Sequence, residues 1–585
     1  MKISITKSSK GSNVYIIKSF RSRGKSTSCI VEKLGKLEDL DKRYGDGMAY
    51  VKERRRQLEK IDVHFDSNKR IHFSISEGEA EDLRNYRFGG HLPLRKIYRK
   101  LNIHEFVRNI QDKSKITFSL DAALETMVCS RILDPMSKFG TSEYAKKLVD
   151  NPELELQHYY RAMDVLYENI DKIQAHCYKN LTNVVNKNKS VWYYDCTNFF
   201  FETESTREGS LRQYGMSKEH RPNPIVQMGL FTDANGIPLA FAINPGNTNE
   251  QITLKPLQEK IIKDFGVEKM IVSTDAGLSS YNNRAFNDRQ GRAFVSTQSI
   301  KKLKGHLKDW VFIEKDWKKL NSSKKEDGFK PSMIDDLEDG TILYKSRFML
   351  EGMVVEDAYG NKIKMKQSWK LIVTFSKDYA KYQKKIRDEQ FERAKKLIKD
   401  PSRYNKVNSN DCRRFVKGIS YTEQGEIAKH NKLSIDEDIY KEESKYDGYY
   451  GLTTNIEDNT EEVIAINHNR WKIEQCFRIM KTEFSARPVF HYKNERIETH
   501  FLICFLALLI FRLLEKKLNG KYTVSQILNA LKEMNFLELK EGFIPTYEPN
   551  AVTKDIAEVF DYGYINRGCY THESMQHLIN LSKRY

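Results

Sequence analysis

Within residues 467–481, one carboxylate stands among three cations at helical spacing. On a helix each residue advances about 100°, so Asn467, Arg470, Glu474, Arg478 and Lys481 fall on one arc roughly 80° wide. Ile466, Ile473, Phe477 and Met480 fall on the adjoining arc, which is expected to face a core. A row of i,i+4 salt bridges has the same spacing. Here, however, the charged stripe borders the apolar face instead of lying opposite it. Such a stripe suits a metal-binding carboxylate beside groups that hold phosphates.

Two aspartates are candidates for the same chemistry. Asp195 follows Val191-Trp192-Tyr193-Tyr194, and Asp275 follows Met270-Ile271-Val272-Ser273-Thr274. Each is expected at the end of a strand. Aspartate is disfavoured inside strands, so each needs a reason. A turn or helix-cap role is the ordinary one, and Asp275-Ala276-Gly277 suits it. Taken with Glu474, the two can converge at one sheet edge. Three hard oxygen ligands suit two Mg²⁺ or Mn²⁺ ions. Two such ions can activate a nucleophile and stabilise the leaving oxygen of an in-line phosphoryl displacement.

The elements that must position these residues are legible in outline. At 585 residues the chain should form about two to four domains. Residues 1–75 are a basic, strand-containing region and a candidate for DNA binding. Tyr15-Ile16-Ile17 and Cys29-Ile30-Val31 read as strands, with Ser19–Ser28 as a hairpin loop. Arg54-Arg55-Arg56 falls in a charged helix. Residues 76–188 are a helical domain, interrupted at Asp134-Pro135, and a candidate for DNA-end binding. From Ser190 the pattern gives three strands, a helix, then strand–helix–strand, a mixed α/β sheet. Asp233-Ala234-Asn235-Gly236 is a turn in it. Residues 300–445 read as an insertion, mostly β, with a turn at 357–361 and a charged helix over 379–398. Tyr449–Thr454 resumes the sheet, and residues 499–517 form an apolar covering helix. Catalytic segments are thus 189–299 and 446–520, and 521–585 is a C-terminal region, a candidate for dimerisation.

Composition points to the partner. The net charge is +18, which suits a polyanion, most simply nucleic acid. Residues 1–70 hold 18 Lys/Arg against 9 Asp/Glu. A generally basic proteome would also give an excess. The eight cysteines form no Cys-x-x-Cys pair, so a zinc ribbon or disulfide scaffold is not expected, and a reducing cytoplasm fits. The N-terminus has no apolar signal segment. Phe501–Phe511 is too short to span a bilayer. No Walker loop is present, so ATP is not implied.

The ordered motifs resemble the DDE transposases of bacterial insertion sequences. The nearest pattern is the superfamily marked by Tyr-x2-Arg-x3-Glu-x6-Lys. Arg470, Glu474 and Lys481 match that spacing, and Asn467 stands where the tyrosine is expected. Tyr194-Asp195-Cys196-Thr197 and Ser273-Thr274-Asp275-Ala276-Gly277 resemble the two aspartate motifs. Tyr214-Gly215-Met216-Ser217-Lys218, with Arg221, resembles a loop between the first two strands. Arg131-Ile132-Leu133-Asp134-Pro135-Met136-Ser137-Lys138 resembles a segment of the helical domain. The resemblance covers about residues 90–515.

It implies an RNase H-like catalytic domain carrying an insertion between Asp275 and Glu474, which are 199 positions apart. It implies metal binding by Asp195, Asp275 and Glu474, with two Mg²⁺ or Mn²⁺ ions. Arg470 and Lys481 would hold phosphates, and Arg478, Lys218 and Arg221 are assigned to DNA beside them. The partners implied are double-stranded transposon ends and target DNA, held by a homodimer, in a bacterial cytoplasm and without a membrane. Related enzymes cleave through a hairpin and flip a base onto a tryptophan. Trp310 and Trp317 are candidates for that role, with a core position as the ordinary alternative. The expected function is a transposase that cuts its ends and joins the 3′-hydroxyl to a target. The alternatives are a nuclease on the same fold and a DNA-binding protein with idle carboxylates.

Overall fold

The structure is a computed structural model. It describes residues 2–8, 11–22, 25–62, 73, 85–185, 190–322, 329–356, 361–399, 412–417, 434–560 and 566–584. Residues 357–360 of the expected turn lie outside these, as do the expected boundaries at 75/76 and 188/189. The chain forms two compact units. One holds Met1–Pro93, Lys147–Asp150 and Asn529–Arg584, and the other holds Leu94–Lys146 and Asn151–Leu528.

The first unit opens with an antiparallel meander, β1 (Lys2–Ser8), β2 (Gly11–Ser22) and β3 (Lys25–Lys36). The expected loop over Ser19–Ser28 is mostly strand, because pairing continues to Ser22↔Lys25. Serines and arginines read as loop by composition, but cross-strand pairing overrides so weak a preference. Val14 packs with Leu40 and Val51 from the helices Leu37–Tyr44 and Gly47–Asp62. A short strand, β4 (Tyr86–Phe88), belongs to this unit too.

The second unit is built on a nine-stranded sheet. Its strands are β5 (Val191–Phe200), β6 (Ile225–Asp233), β7 (Pro238–Pro245), β8 (Ile271–Thr274), β9 (Ala293–Gln298), β10 (Lys318–Lys319), β11 (Ile342–Glu356), β12 (Lys362–Ser376) and β15 (Tyr449–Thr454). The order is β10-β11-β12-β15-β9-β8-β5-β6-β7. β5, β6 and β7 are antiparallel, whereas β8 runs parallel to β5 and β9 parallel to β8. This is the mixed α/β arrangement expected from the sequence. β5 and β6 are buried along nearly their whole length, which explains their near-continuous apolar and aromatic sequence.

The β11–β12 hairpin does not stand apart from this sheet. Lys370–Phe375 of β12 pairs with Tyr449–Thr454, so the hairpin extends it. Trp369 is fully buried there, and its indole N–H donates to Asp288 at 2.9 Å. The charged helix Lys377–Lys399 packs beside a two-stranded sheet, β13 (Val416–Lys417) and β14 (Ser434–Ile435), around Leu397 and Phe415.

The apolar helix spans Asn494–Lys517. It alone among the described helices is long and apolar enough to cross a membrane, and 94% of its apolar window is buried inside the protein. It packs on β7 and on the helices Leu120–Leu133 and Leu156–Tyr167. Each fully buried Leu, Ile or Phe contributes about 1.5–3 kcal/mol, so this helix anchors the unit. The helical region has a polar core as well. Arg99 bonds Asp121 at 2.9 Å and Glu125 at 2.8 Å, and Tyr98 donates to Asp121 at 2.9 Å.

The turn Asp233–Gly236 forms as expected and fixes the helix that carries Glu474. Gly236 adopts φ +76°, which favours glycine. Its carbonyl accepts from Cys476 Sγ at 3.3 Å and Arg512 Nε at 3.2 Å, while Lys472 Nζ donates to the Ala234 carbonyl at 2.7 Å.

The remainder of the first unit is C-terminal. β16 (Asn535–Leu539) and β17 (Gly542–Pro545) join β4 in the order β17-β16-β4. Leu92, Phe536, Tyr570 and Leu578 form its core.

One close approach ties the sheet to the aspartate at its centre. A Cβ at Gly229 would lie 2.3 Å from the Tyr194 hydroxyl oxygen and 3.0 Å from Cζ. That hydroxyl is hydrogen-bonded to Thr253 Oγ1 at 2.7 Å, so the ring has little freedom to yield. Gly229→Ala is expected to lose about 1–3 kcal/mol, the usual range for overpacking, read as a lowered urea midpoint. An unchanged midpoint would mean the ring moves freely.

Candidate active site

The strand ladder brings the two aspartates side by side. β5 and β8 pair in parallel as Val191↔Ile271, Trp192↔Val272 and Tyr193↔Ser273. The same register carried two residues further sets Asp195 against Asp275, on one face of the sheet. Adjacent strands lie about 4.8 Å apart. Asp195 is not at the end of its strand, as the sequence suggested. β5 runs on to Phe200 because its antiparallel ladder with β6 continues to Phe200↔Ile225. Only the parallel side stops, and its last pair, Tyr193↔Ser273, lies two residues before the aspartates.

Burial pushes the Asp195 carboxyl up to about 6, and the charge of Asp275 adds to this, while Lys218 and Arg470 pull the other way. Asp195 Oδ1 accepts from the Cys196 N–H at 2.8 Å. Asp275 Oδ1 accepts from the Leu278 N–H at 2.9 Å, so it also caps the turn that follows β8. The two readings of Asp275, strand end and turn cap, are therefore compatible.

Cations collar this pair. Lys218 lies on the β5–β6 loop, which Asn198 of β5 holds by donating to the Met216 carbonyl at 3.0 Å. Lys218 Nζ donates to the Cys196 carbonyl at 2.6 Å and pairs with Glu250 at 2.9 Å. Burial lowers its pKa, but Glu250 and Asp195 outweigh that and hold it above the ordinary lysine value. Lys481 pairs with Glu219 at 3.2 Å. Burial and the nearby Lys218 charge bring its pKa down to about 8. Arg487 pairs with the same Glu219. Arg221 lies 3.7 Å from Glu219 and stacks 4.2 Å over the Phe200 ring. Arg478 is exposed and has no ion pair among the described residues. Sequence reasoning missed Glu219, Glu250 and Arg487. Glu219 lies between Lys218 and Arg221 and was legible as a partner for them, whereas Glu250 and Arg487 are recruited only by the fold.

The Glu474 stripe is two helices rather than one. Thr460–His468 and Trp471–Thr482 meet at a tightened joint. There Arg470 N bonds to Asn467 O at 3.1 Å and Ile473 N to Arg470 O at 3.1 Å, both i→i−3. Asn467 thus lies in the last turn of the first helix, Arg470 is the N-cap of the second, and Glu474, Arg478 and Lys481 ride on it. Ile466, Ile473, Phe477 and Met480 are buried as expected.

Arg470 Nη2 lies 3.6 Å from Glu474, and its Nη1 reaches Thr297 Oγ1 at 3.5 Å. Its Nε and the Asn467 Oδ1 are buried without a hydrogen-bond partner. The Glu474 side chain is 62% exposed. Among the described residues, no three His, Cys, Asp or Glu side chains gather closely enough to hold a metal ion. The fold thus brings Asp195, Asp275, Lys218 and Arg470 together and leaves Glu474 attached to Arg470. The donor set still suits a hard divalent cation: adjacent carboxylates, one raised by burial and by its neighbour's charge, each accepting a backbone N–H through Oδ1 and, among the described residues, none through Oδ2.

Trp317 belongs to the hydrophobic core. It is 3% exposed, and its indole N–H donates to the Ile313 carbonyl at 3.1 Å. Lys345 Nζ lies 4.7 Å from both the Trp317 and the Trp310 rings and bonds the Trp310 carbonyl at 2.7 Å.

The chain matches the family model described as a transposase DDE domain over residues 198–510. The match begins three residues after Asp195 and includes Asp275 and Glu474. No curated protein matches the chain. Among solved structures, it is similar to the cryo-EM structure of the piggyBac transposase synaptic complex with hairpin DNA. The identity is 8%, over 84% of this chain and 85% of that chain, with a TM-score of 0.35. The family match spans more than half of the chain, which belongs to the transposases with a DDE domain.

Proposed function

We propose that this transposase binds the inverted ends of its own element, cuts them with metal-activated water, and joins the 3′-hydroxyl to target DNA by transesterification. The observation that carries this reading is the pairing of Asp195 with Asp275 inside a collar of Lys218, Arg470 and Lys481. Two carboxylates alone would repel DNA, whereas the collar draws a phosphate toward them.

Asp195 and Asp275, joined by Glu474, would hold two Mg²⁺ or Mn²⁺ ions. When bound, those ions supply the charge that makes water nucleophilic and stabilises the leaving oxygen. Glu474 is exposed and tied only to Arg470, so releasing it loses about 0.3–0.5 kcal/mol, the scale of an exposed i,i+4 pair. Arg470 then has its guanidinium fork free for a phosphate. Lys218, Lys481, Arg478 and Arg221 bind the strand on either side of the scissile phosphate. A homodimer holding two ends is the family's expected assembly. A second reading, a DNA-binding protein with idle carboxylates, draws on the lack of a three-carboxylate cluster among the described residues.

Asp195→Asn is expected to abolish end cleavage while DNA affinity stays within about twofold, since phosphate contacts are made by cations and not by a carboxylate. A linear fragment carrying the gene with its native flanks, incubated with Mg²⁺ or EDTA, reads both. Cutting by the variant would sink the metal-ligand assignment, and binding without cutting by the unaltered protein would favour the second reading.

Lys481→Ala is expected to weaken strand joining and leave the urea midpoint within about 0.5 kcal/mol. A large fall in stability would assign Lys481 to a structural pair with Glu219.

The pH dependence follows from Asp195, whose pKa in the fold is about 6 against an ordinary 3.8. Below pH 6 its carboxyl is protonated and a poor ligand, so Mg²⁺-dependent cleavage should rise through pH 6 and level above it. By linkage, ionising it weakens the fold as pH rises through the same range. Asp195→Asn should therefore raise the Tm more at pH 8 than at pH 5, and an equal shift at both would remove Asp195 as the titrating group.

A further inference from the structure

A second cation-lined cavity lies in the same unit, and the proposed catalysis does not use it. It has a volume of about 190 Å³ and lies between the segment Arg131–Lys138 and residues Ser485–His500. Arg131, Lys138, Arg487, His491 and His500 line it, and its lining includes no Asp or Glu.

Lys138 is the anomaly. It is 3% exposed, and its Nζ has no hydrogen-bond partner. A buried, unpaired ammonium loses its hydration with nothing in return. Burial and the Arg131 charge bring its pKa down to about 7. Arg131 is held by the carbonyls of Phe484, Ser485 and Met136 at 3.3–3.4 Å, yet its Nε is also buried without a partner. His500 Nε2 is bonded to the Ala486 carbonyl at 3.1 Å, and its Nδ1 is likewise unpartnered. Three polar nitrogens are thus unpartnered around one cavity. Lys138 Nζ and Arg131 Nε can donate to an anion, whereas His500 keeps its proton on Nε2 for the Ala486 carbonyl. At the rim Phe490 is 65% exposed, a surface on which a base can stack. Arg487, on the wall, shares Glu219 with Lys481, which connects the cavity to the collar around the aspartates.

We infer that this cavity binds one phosphate group of the DNA strand, with Lys138 and Arg131 as its donors and Phe490 against the neighbouring base. The inference rests on the transposase reading and extends it to a second phosphate site. Buried lysine is retained there because the phosphate completes it.

The test uses full-length protein and a labelled duplex matching the element's end, in two forms: 5′-phosphorylated and 5′-hydroxyl. Affinities are measured for the unaltered protein and for Lys138→Met, Lys138→Gln and Phe490→Ala. Lys138→Met is expected to raise the Tm, because it removes an unpaired buried charge, and yet to weaken DNA binding about tenfold or more. Weakening confined to the phosphorylated duplex identifies a terminal phosphate, and equal weakening of both identifies an internal one. Phe490→Ala should weaken binding without changing the Tm.

If both Lys138 variants keep full affinity for both duplexes, the inference is overturned. It is equally overturned if both lose stability, since Lys138 is then a structural residue. Cleavage by the unaltered protein is scored in parallel. Loss of the phosphate effect with cleavage intact sinks this inference alone, whereas absence of cleavage in the unaltered protein sinks the function on which it rests.

Discussion

Carboxylates placed side by side at a sheet edge repel one another, and the fold accepts that repulsion at Asp195 and Asp275. The parallel ladder between β5 and β8 sets up the approach: Tyr193 pairs with Ser273, and the aspartates follow two residues later on each strand. Everything nearby can be understood as a response. Lys218 is held above its ordinary pKa by acidic neighbours, and Arg470 reaches in from the next helix. Glu250 and Glu219 in turn hold Lys218 and Lys481 in place. The result is nearly balanced charge without a closed set of ligands.

That balance depends on packing some distance away. The Glu474 helix takes its position from a single turn, where Gly236 receives both Cys476 and Arg512. Arg512 belongs to the apolar helix, which is itself clamped by the helical region. Thr499 of that helix donates to the Met163 carbonyl at 2.9 Å, and Arg496 grips Asp164 at 2.8 Å through two nitrogens. The relation between glutamate and aspartates is therefore set by the core of the whole unit.

Much of this was legible in the sequence, for identifiable reasons. β5, β6, β8, β9 and β15 announced themselves because buried strands demand continuous apolar runs. The turn at Gly236 was legible because only a few residue types accept its backbone. The apolar arc of the Glu474 helix was legible from its period. What was hidden depends on distant partners. The length of β5 beyond Asp195 depends on β6, and the pairing of Ser19–Ser28 depends on strands whose composition reads as loop. The joint at Asn469-Arg470 follows from local hydrogen bonding that a helical wheel cannot represent. Trp317 was readable as core, the ordinary case, or as a base platform, and its surroundings decide for core.

The β11–β12 hairpin is joined to β15 by main-chain hydrogen bonds, and β15 to β9 in the same way. β9 then pairs with β8, the strand that Asp275 immediately follows. An arm attached by a flexible linker could swing without disturbing the centre. One continuous with the sheet behaves as a stiff lever, because a ladder shears far less readily than a loop bends. The arm and the strand leading to Asp275 therefore belong to one unbroken hydrogen-bonded framework, with only β15 and β9 between them.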